Sequence, residues 1–362
     1  MPTTDTLLQA LSTAVDPNTG KDFVSSKSIK NMQITGDDVA FDVELGYPAK
    51  SQIPAIRKSL INAAKAVPGV GNVSVNVTVK IASHSVQRGV QLLPNVKNII
   101  AVASGKGGVG KSTTAVNLAL ALAAEGASVG LLDADIYGPS QPMMMGIEGR
   151  PESVDGKNME PMENYGIQVM SIGFLVAQDE AMIWRGPMAT QALEQLLRQT
   201  NWRELDYLIV DMPPGTGDIQ LTLSQRVPMT GAVIVTTPQD IALLDAKKGI
   251  KMFEKVGVPI LGIVENMAVH ICSQCGHTEH IFGADGGKKM AADYKMDYLG
   301  ALPLDMQIRL QADNGRPTVV SDPDGDVAAL YKAVARKVAI TVAAKSKDFS
   351  AKFPTITISK NT

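Results

Sequence analysis

A C-x-x-C pair and three histidines are concentrated in the stretch HICSQCGHTEH. Cys272 and Cys275 are the only two cysteines in 362 residues. A structural zinc would take both thiolates together with two of His270, His277 and His280. An iron–sulfur cluster requires four thiolates, so a two-fold dimer would have to supply them. A redox pair is the third possibility, but such motifs favour a helix N-terminus, which this stretch does not resemble.

The stretch SGKGGVGKSTT (104–114) is typical of a nucleotide phosphate-binding loop. It fits G-x-x-x-x-G-K-[ST] between a predicted strand and a predicted helix. Glycines let backbone N–H groups turn toward phosphate oxygens, and the helix N-terminus adds positive potential. Lys111 is expected to reach the β- and γ-phosphates of ATP, and the Ser112 hydroxyl to bind Mg²⁺. The residues predicted to bind the nucleotide here are Gly105, Lys106, Gly107, Gly108, Val109, Gly110, Lys111, Ser112 and Thr113.

Three aspartates stand where apolar stretches end. Asp133 and Asp135 alternate in LLDADIYGP, and Asp211 ends YLIVD. Ligand-binding residues collect at the carboxyl ends of strands in open parallel sheets. Asp211 is therefore predicted to be a Walker B carboxylate, and PPGTGD after it a loop that senses the γ-phosphate. Asn266 ends a further apolar stretch, GIVEN.

The elements that must position these groups form an α/β pattern. Apolar runs (IIAVAS, SVGLLDAD, YLIVDMP, GAVIVTTP and ILGIVEN) alternate with helical segments from about residue 98. Such runs predict a mostly parallel sheet covered by helices on both faces. The alternation in NVSVNVTVKI predicts a half-buried strand in a smaller unit. We predict a small α+β domain (1–84), a linker (85–97), a P-loop NTPase domain (98–345) and a polar tail (346–362).

Composition argues against two classes of partner. Lys and Arg number 34 against 36 Asp and Glu, so no basic excess favours nucleic acid. The longest apolar run, in AVNLALALAAEG, is shorter than the roughly 20 residues that cross a bilayer. The start, MPTTDTLLQA, has no basic segment of the kind that begins a signal peptide. We therefore expect a cytoplasmic protein that binds neither membranes nor nucleic acid.

The loop KGGVGKST resembles that of the deviant Walker A group of P-loop ATPases, which includes the MinD, ParA and nitrogenase iron-protein families. The resemblance implies that Lys106 reaches across a homodimer interface to the partner's nucleotide. It also implies that Asp135 positions or activates the attacking water, that Asp133 supports the magnesium shell and that Asn266 contacts adenine. The predicted catalytic residues are Lys106, Lys111 and Asp135. A two-fold dimer across this edge would also bring the two cysteine stretches together.

Several blocks in residues 98–310 resemble the Mrp/ApbC family of iron–sulfur cluster carrier ATPases. They are GKGGVGKSTT, DADIYGPSQPMMMG, WRGPM, DMPPGTGDIQLTLSQ, TTPQDIALLDAKKGI, VENMAVHICSQCG and IFGADGGKKMA. The resemblance implies a homodimer that binds a [4Fe–4S] cluster at Cys272 and Cys275 of both chains. It also implies slow ATP hydrolysis, an upstream cluster donor and apo-proteins as clients.

The N-terminal stretch DPNTGKDFVSSKSIKNMQI resembles the MIP18-like domain that is often fused to bacterial members of this family. Relatives of that domain carry a reactive cysteine near this turn, where Asn18 and Thr19 follow Pro17 here. No separate cluster or thiol role is therefore expected for residues 1–84.

Two alternative functions remain open. One is a MinD- or ParA-like spatial switch, and the other is a P-loop ATPase with a structural zinc at the C-x-x-C stretch. A switch that binds membranes needs a terminal amphipathic basic helix. The tail KSKDFSAKFPTITISKNT contains Pro354 and no helical apolar stripe. A switch that binds DNA needs a basic surface, which the balanced charge does not supply.

Overall fold

The computed structural model describes residues 2–87, 89–176 and 186–345. Its strands are β1 (Ile29–Thr35), β2 (Asp38–Leu45), β3 (Val73–Val79), β4 (Val96–Ala103), β5 (Val129–Asp133), β6 (Met162–Asn164), β7 (Ile167–Ser171), β8 (Leu205–Asp211), β9 (Gly231–Thr236), β10 (Ile260–Ile271), β11 (Thr278–Glu279) and β12 (Tyr298–Pro303). Its α-helices are α1 (Thr4–Leu11), α2 (Ile53–Lys65), α3 (Lys111–Ala124), α4 (Gln141–Met144), α5 (Gly186–Arg198), α6 (Asp218–Arg226), α7 (Asp240–Lys255), α8 (Gly286–Asp293), α9 (Met306–Asp313), α10 (Thr318–Ser321) and α11 (Asp326–Ala343). The predicted polar tail, 346–362, lies outside the described residues, as do Trp184 and Arg185 of the WRGPM block.

The N-terminal unit is a three-stranded sheet in the order β1–β2–β3, with α1 and α2 packed together. Strand β3 is parallel to β2, and it buries Val75 and Val77 while Ser74 and Asn76 are exposed. This confirms the predicted half-buried strand. The antiparallel edge strand β1 was not expected, because its sequence IKNMQIT lacks apolar alternation and is mostly exposed.

The larger unit contains a nine-stranded sheet. Its order is β11–β10–β9–β4–β8–β5–β7–β6, with β12 also paired to β10. The strand pairs are parallel except β6–β7 and β10–β11. Helix α3 packs with α10 and α11, while α5, α6, α7 and α8 contact one another in succession. The predicted mostly parallel sheet with helices on both faces is confirmed.

Helix α3 is buried between the sheet and two other helices. Its residues from Thr114 to Leu122 are all buried, because the sheet lies on one side and α10 and α11 lie on the other. The buried Asn117 accepts a hydrogen bond of 3.1 Å from the backbone N–H of Val319, which fixes α10 against α3. The N-terminus of α3 is thereby placed at the carboxyl ends of the central strands.

The two units meet at the C-terminal end of α3. Glu125 is buried and accepts hydrogen bonds from the backbone N–H (2.9 Å) and the hydroxyl (2.7 Å) of Ser51. Arg336 of α11 forms an ion pair with the same carboxylate, which compensates its burial. The backbone N–H of Lys50 donates to the Glu125 carbonyl at 3.0 Å. The smaller unit is thus attached to the helix whose other end begins at the phosphate loop.

The structure differs from the sequence predictions in one region that concerns the site. The apolar stretch predicted to end at Asn266 continues as β10 to Ile271, and β11 then pairs back onto it. An argument based on apolar runs could not predict this extension, because His270 is polar and the end of the strand is exposed.

Within residues 2–87, 89–176 and 186–345, no helix has both the length and the apolar character needed to span a membrane.

Candidate functional site

The phosphate loop connects the end of β4 to the start of α3. Gly108 and Gly110 have φ angles of 81° and 79°, in the left-handed region that favours glycine. A Cβ at Gly105 would lie 2.1 Å from the backbone carbonyl of Asp245, so the loop packs closely on α7. A Cβ at Gly107 or Gly108 would meet nothing within 4 Å, so the outer surface of the loop is open. This shape can admit phosphate oxygens against backbone N–H groups.

Lys111 connects the loop to the strand-end aspartates. Its ammonium is 2.5 Å from Asp211 Oδ1 and 3.7 Å from Asp135 Oδ2, and it donates to Ser112 Oγ at 3.1 Å. Asp133 and Asp211 are opposite each other in the β5–β8 register, so the two carboxylates share one edge of the sheet. With a side chain only 6% exposed, Lys111 provides the positive charge that compensates this buried acidic group.

Asp133 accepts hydrogen bonds from four groups of the protein. Its Oδ2 accepts hydrogen bonds from the backbone N–H groups of Ser140 (3.0 Å) and Gln141 (3.1 Å) and from the Ser171 hydroxyl (3.0 Å). Its Oδ1 accepts from the backbone N–H of Asp135 at 3.2 Å. The side chain therefore fixes the segment that carries Asp135.

Burial changes the acidity of both β5-end carboxyls. It raises the pKa of Asp133 to about 7, and the neighbouring charge of Asp211 adds to that rise, while a hydrogen bond from Gln141 and the charge of Lys111 oppose it. Burial also raises the pKa of Asp135, against the opposing charge of Lys111. Both groups are thus better proton acceptors than an exposed aspartate.

Gln141 and Ser171 were not predicted as site residues. The Gln141 amide donates to Asp211 Oδ2 at 2.8 Å and to the Ser112 carbonyl at 3.1 Å, so it joins the acidic strand end to the start of α3. Gln141 occurs in the block DADIYGPSQPMMMG, but no periodicity or motif position marks its side chain. These contacts arise only when β5, β7 and β8 are paired.

Lys106 is exposed at the open side of the loop. Its backbone carbonyl accepts from the Ser104 hydroxyl at 2.9 Å, and its side chain makes no hydrogen bond or ion pair with the described part of the chain. The segment PPGTGD (213–218), which is predicted to sense the γ-phosphate, lies against the same loop, since Gly215 N–H donates to the Ser104 carbonyl at 3.0 Å.

A cavity of about 290 Å³ lies beside the start of α3. Asn266 forms part of its wall and donates from its amide to the carbonyl of the buried Val109 at 2.9 Å. Of the residues that line it, the sequence predicted Gly110, Thr113 and Asn266 as nucleotide-binding, but not the others. The remaining lining residues include Met267, Pro303, Leu304, Asp305, Ile308, Arg309 and Tyr331. We call this space the cavity beside α3.

The cysteines lie on the turn of the β10–β11 hairpin. Cys272 N–H donates to the His277 carbonyl at 2.9 Å, and Gly276 N–H donates to the Cys272 carbonyl at 2.8 Å. Both thiols are free; Cys272 is partly exposed and Cys275 is exposed. Hydrogen bonds from the backbone of Gln274 and Cys275 lower the pKa of the Cys272 thiol, which favours the thiolate that binds metals. The cysteines follow the strand that carries Asn266, and they lie apart from the residues predicted to bind the nucleotide.

The three histidines of this hairpin do not form a ligand group with the cysteines. His270 Nδ1 donates to the Leu304 carbonyl at 3.0 Å, and His280 Nδ1 donates to the Ala268 carbonyl at 2.8 Å. His277 Nε2 is 3.8 Å from a Glu279 oxygen. Across residues 2–87, 89–176 and 186–345, no three His, Cys, Asp or Glu side chains are arranged to hold a metal ion. The zinc alternative therefore lacks a four-ligand set within these residues.

The loop, the buried Lys111 and the strand-end aspartates on a mostly parallel sheet define a P-loop NTPase. Residues 95–339 match the family described as NUBPL iron-transfer P-loop NTPase. Residues 4–77 match a second family, described as iron–sulfur cluster assembly protein. The chain therefore belongs to the NUBPL iron-transfer P-loop NTPase family.

Relatives with named functions cover most of the chain. An iron–sulfur cluster carrier protein of Pseudomonas fragi is 61% identical over 269 residues, which are 74% of this chain and 94% of that protein. Another from Synechocystis is 47% identical over 344 residues, covering 94% and 98%. The mouse iron–sulfur cluster transfer protein NUBPL is 57% identical over 248 residues, covering 68% and 78%.

Solved structures agree with the fold. A nucleotide-binding protein from Archaeoglobus fulgidus, in complex with ADP, is 39% identical with a TM-score of 0.56 and covers 64% of this chain and 90% of its own. The cell division ATPase MinD of Pyrococcus furiosus has a TM-score of 0.50 and covers 67% of this chain and 98% of its own. At 22% identity the second likeness concerns the fold alone.

Replacing Lys111 tests the nucleotide site. We expect Lys111→Ala to reduce ATP hydrolysis by about 10²-fold or more, because the phosphate charge loses its buried cation. The change also leaves Asp211 without its ion pair, so thermal unfolding should be measured beside phosphate release. Lys111→Gln is the control, since it keeps a hydrogen-bond donor for Asp211 without the charge. Wild-type turnover in both variants would contradict the assignment.

Proposed function

We propose that this chain is an ATP-dependent iron–sulfur cluster carrier, in which two copies bind one [4Fe–4S] cluster and transfer it to apo-proteins. The observation that carries the proposal is the position of the C-x-x-C hairpin. It extends β10, the same strand whose Asn266 contacts the phosphate loop. The relatives named as cluster carriers support the class of cargo.

The cluster is the cargo of this reaction rather than a resident group. Cys272 and Cys275 are both accessible at the tip of the hairpin, and one chain contains no further cysteine. A two-fold dimer across the nucleotide edge would place two hairpins together and supply four thiolates. The cluster would arrive from an upstream donor protein and leave to a client apo-protein, in each case by exchange of thiolate ligands.

ATP would occupy the phosphate loop and the cavity beside α3. The loop residues from Gly105 to Gly110 would surround the phosphates with backbone N–H groups, and Lys111 would bind the β- and γ-phosphates in competition with Asp211. The cavity, next to Thr113 and lined by Asn266, would hold the adenine. Bound Mg²⁺, held by Ser112, would neutralise charge on the phosphates.

The hydrolytic step would use the aspartates at the end of β5. Asp135 would orient the water that attacks the γ-phosphorus, while the bridging oxygen leaves with ADP. Its raised pKa suits a group that accepts a proton from that water. Asp133 already accepts four hydrogen bonds from the protein, so we propose that it supports the magnesium shell by fixing the segment around Asp135.

Lys106 would complete the site of the partner subunit. Its side chain is exposed and unpaired within the described residues, at the face where the second copy would sit. Hydrolysis would then depend on dimerisation, which would link nucleotide turnover to the assembly of the four-thiolate site.

We propose that the chain is divided into a small α+β domain (1–84), a linker (85–97), a P-loop NTPase domain (98–345) and a polar tail (346–362). Free exposed thiols fit a reducing cytoplasm as the location.

Lys106→Ala tests the dimer-dependent step. The variant should still bind ATP, because Lys111 and the loop amides remain, but it should lose at least about 10²-fold in hydrolysis, as when a charge supplied in trans is removed. Nucleotide affinity, phosphate release and sedimentation should be measured together. Lys58→Ala, at an exposed lysine of α2, is the matched control. Wild-type turnover by Lys106→Ala would rule out this role.

The cysteines test the cargo. Cys272→Ala or Cys275→Ala would leave two thiolates in a dimer, so we expect almost complete loss of iron after anaerobic reconstitution. The wild type should hold about four iron atoms per dimer and absorb at roughly 400 nm. Ser273→Ala, between the two cysteines, is the control. A monomer that retains a full complement of iron would argue against a bridging cluster.

The histidines separate an iron–sulfur cluster from zinc. We expect the triple change of His270, His277 and His280 to Asn to leave the iron content and the absorption mostly intact, since thiolates suffice for a cluster. Asparagine also retains an N–H donor close to the position of Nδ1 in His270 and His280. Elemental analysis provides the measurement. The result that would favour zinc is about one zinc per chain in the wild type and its loss in the triple variant.

A further inference from the structure

Two histidine side chains to which the proposed function assigns no role form hydrogen bonds that fix the cysteine hairpin. His280 Nδ1 donates to the Ala268 carbonyl at 2.8 Å, which joins the two legs of the hairpin. His270 Nδ1 donates outside the hairpin, to the Leu304 carbonyl at 3.0 Å. Leu304 N–H donates in return to the Val269 carbonyl at 2.8 Å. His270 therefore closes a reciprocal link between β10 and the segment after β12.

That segment forms part of the wall of the cavity beside α3. Leu304 lines this cavity together with Pro303, Asp305 and Met267 of β10. A ligand that fills the cavity would therefore contact the residue whose carbonyl accepts the His270 hydrogen bond. The cavity wall and the cysteine hairpin share one hydrogen-bonded connection.

The backbone between the cavity and the hairpin is irregular. The pairing of β10 with β12 shifts register between Glu265 and Val269. Within this interval Met267 has a φ angle of 55°, in the left-handed region that a non-glycine residue rarely adopts. Regular pairing with β12 is thus interrupted at the cavity, and beyond it the contacts of Val269 and His270 join the end of β10 to the segment after β12.

We propose that His270 is a positioning residue that couples occupancy of the cavity beside α3 to the geometry of the Cys272–Cys275 hairpin. A nucleotide in the cavity orders the segment around Leu304, and the His270 hydrogen bond transmits this order to the hairpin. By linkage, the state of the hairpin affects nucleotide affinity by the same factor. The coupling of ATP to cluster transfer rests on the proposed function. The hydrogen bond between His270 and Leu304 is present in the protein without nucleotide or cluster.

The test measures alkylation of Cys272 and Cys275 by iodoacetamide in cluster-free protein, with and without saturating ADP, by mass spectrometry. ADP fills the site without the γ-phosphate and without need for hydrolysis or a cluster. We expect ADP to change the alkylation rate of the wild type by about 5-fold or more, the lower end of ordinary coupling between sites. In His270→Phe this effect should fall to less than about 2-fold, because the link to Leu304 is lost.

Two further variants separate positioning from general stability. His270→Asn retains a side-chain N–H donor near the position of Nδ1, so it should restore the ADP effect. His277→Phe changes an exposed histidine of the same hairpin and should behave as the wild type. The ADP affinity of every variant shows that it is folded and that the nucleotide is saturating.

Two results would overturn the inference: no effect of ADP on the wild-type thiols, or an equal effect in His270→Phe. The second would mean that β10 alone, or direct contact with the nucleotide, carries the coupling. Neither result bears on the cargo. Absence of iron in reconstituted wild-type protein would instead refute the proposed carrier function while leaving the alkylation result to decide the role of His270.

Discussion

The ion pair between Lys111 and Asp211 is the interaction on which the arrangement of the site depends. The β5–β8 register places Asp133 opposite Asp211 in a fully buried environment, where burial and the charge of Asp211 raise the pKa of Asp133. The ammonium of Lys111 and the amide of Gln141 satisfy Asp211, and this requires the first turn of α3 to lie against the strand ends. Removing one member of such a buried pair costs about 3–5 kcal/mol. The acidic edge and the phosphate loop are therefore stable only together.

Strand β10 connects the two chemistries that the sequence presents separately. It begins beside β9, reaches the phosphate loop at Asn266, and ends at Ile271, immediately before Cys272. A change at the nucleotide and a change at the thiols thus act on one element. Helix α3 connects the nucleotide site to the N-terminal unit, since it begins at Lys111 and ends beside Glu125, which contacts that unit.

Much of the fold was accessible from the sequence, because buried parallel strands produce continuous apolar runs. The stretches around β4, β5, β8, β9 and α3 were predicted from this pattern, and the glycine–lysine loop marked its own position between strand and helix. The contacts of Gln141 and Ser171 were not predictable, since they depend on which strands are neighbours in the sheet. The exposed strands β1 and β11 carry no apolar run, so an argument from hydrophobic pattern cannot find them. The sequence also could not decide whether the histidines bind a metal. Spacing along the chain shows which residues are near each other, but it does not show which backbone carbonyls accept hydrogen bonds from the histidine side chains.

An exposed hairpin is a poor place for a permanent metal site and a suitable one for cargo. Structural zinc is typically enclosed by four protein ligands, and its binding contributes directly to folding. Here Cys275 is exposed, and the hairpin is already ordered by backbone pairing and by the bonds of His270 and His280. Folding of the hairpin therefore does not require a ligand. Two thiols per chain also leave any four-thiolate site incomplete until a second copy arrives, so a cluster held in this way would be released when the two chains separate.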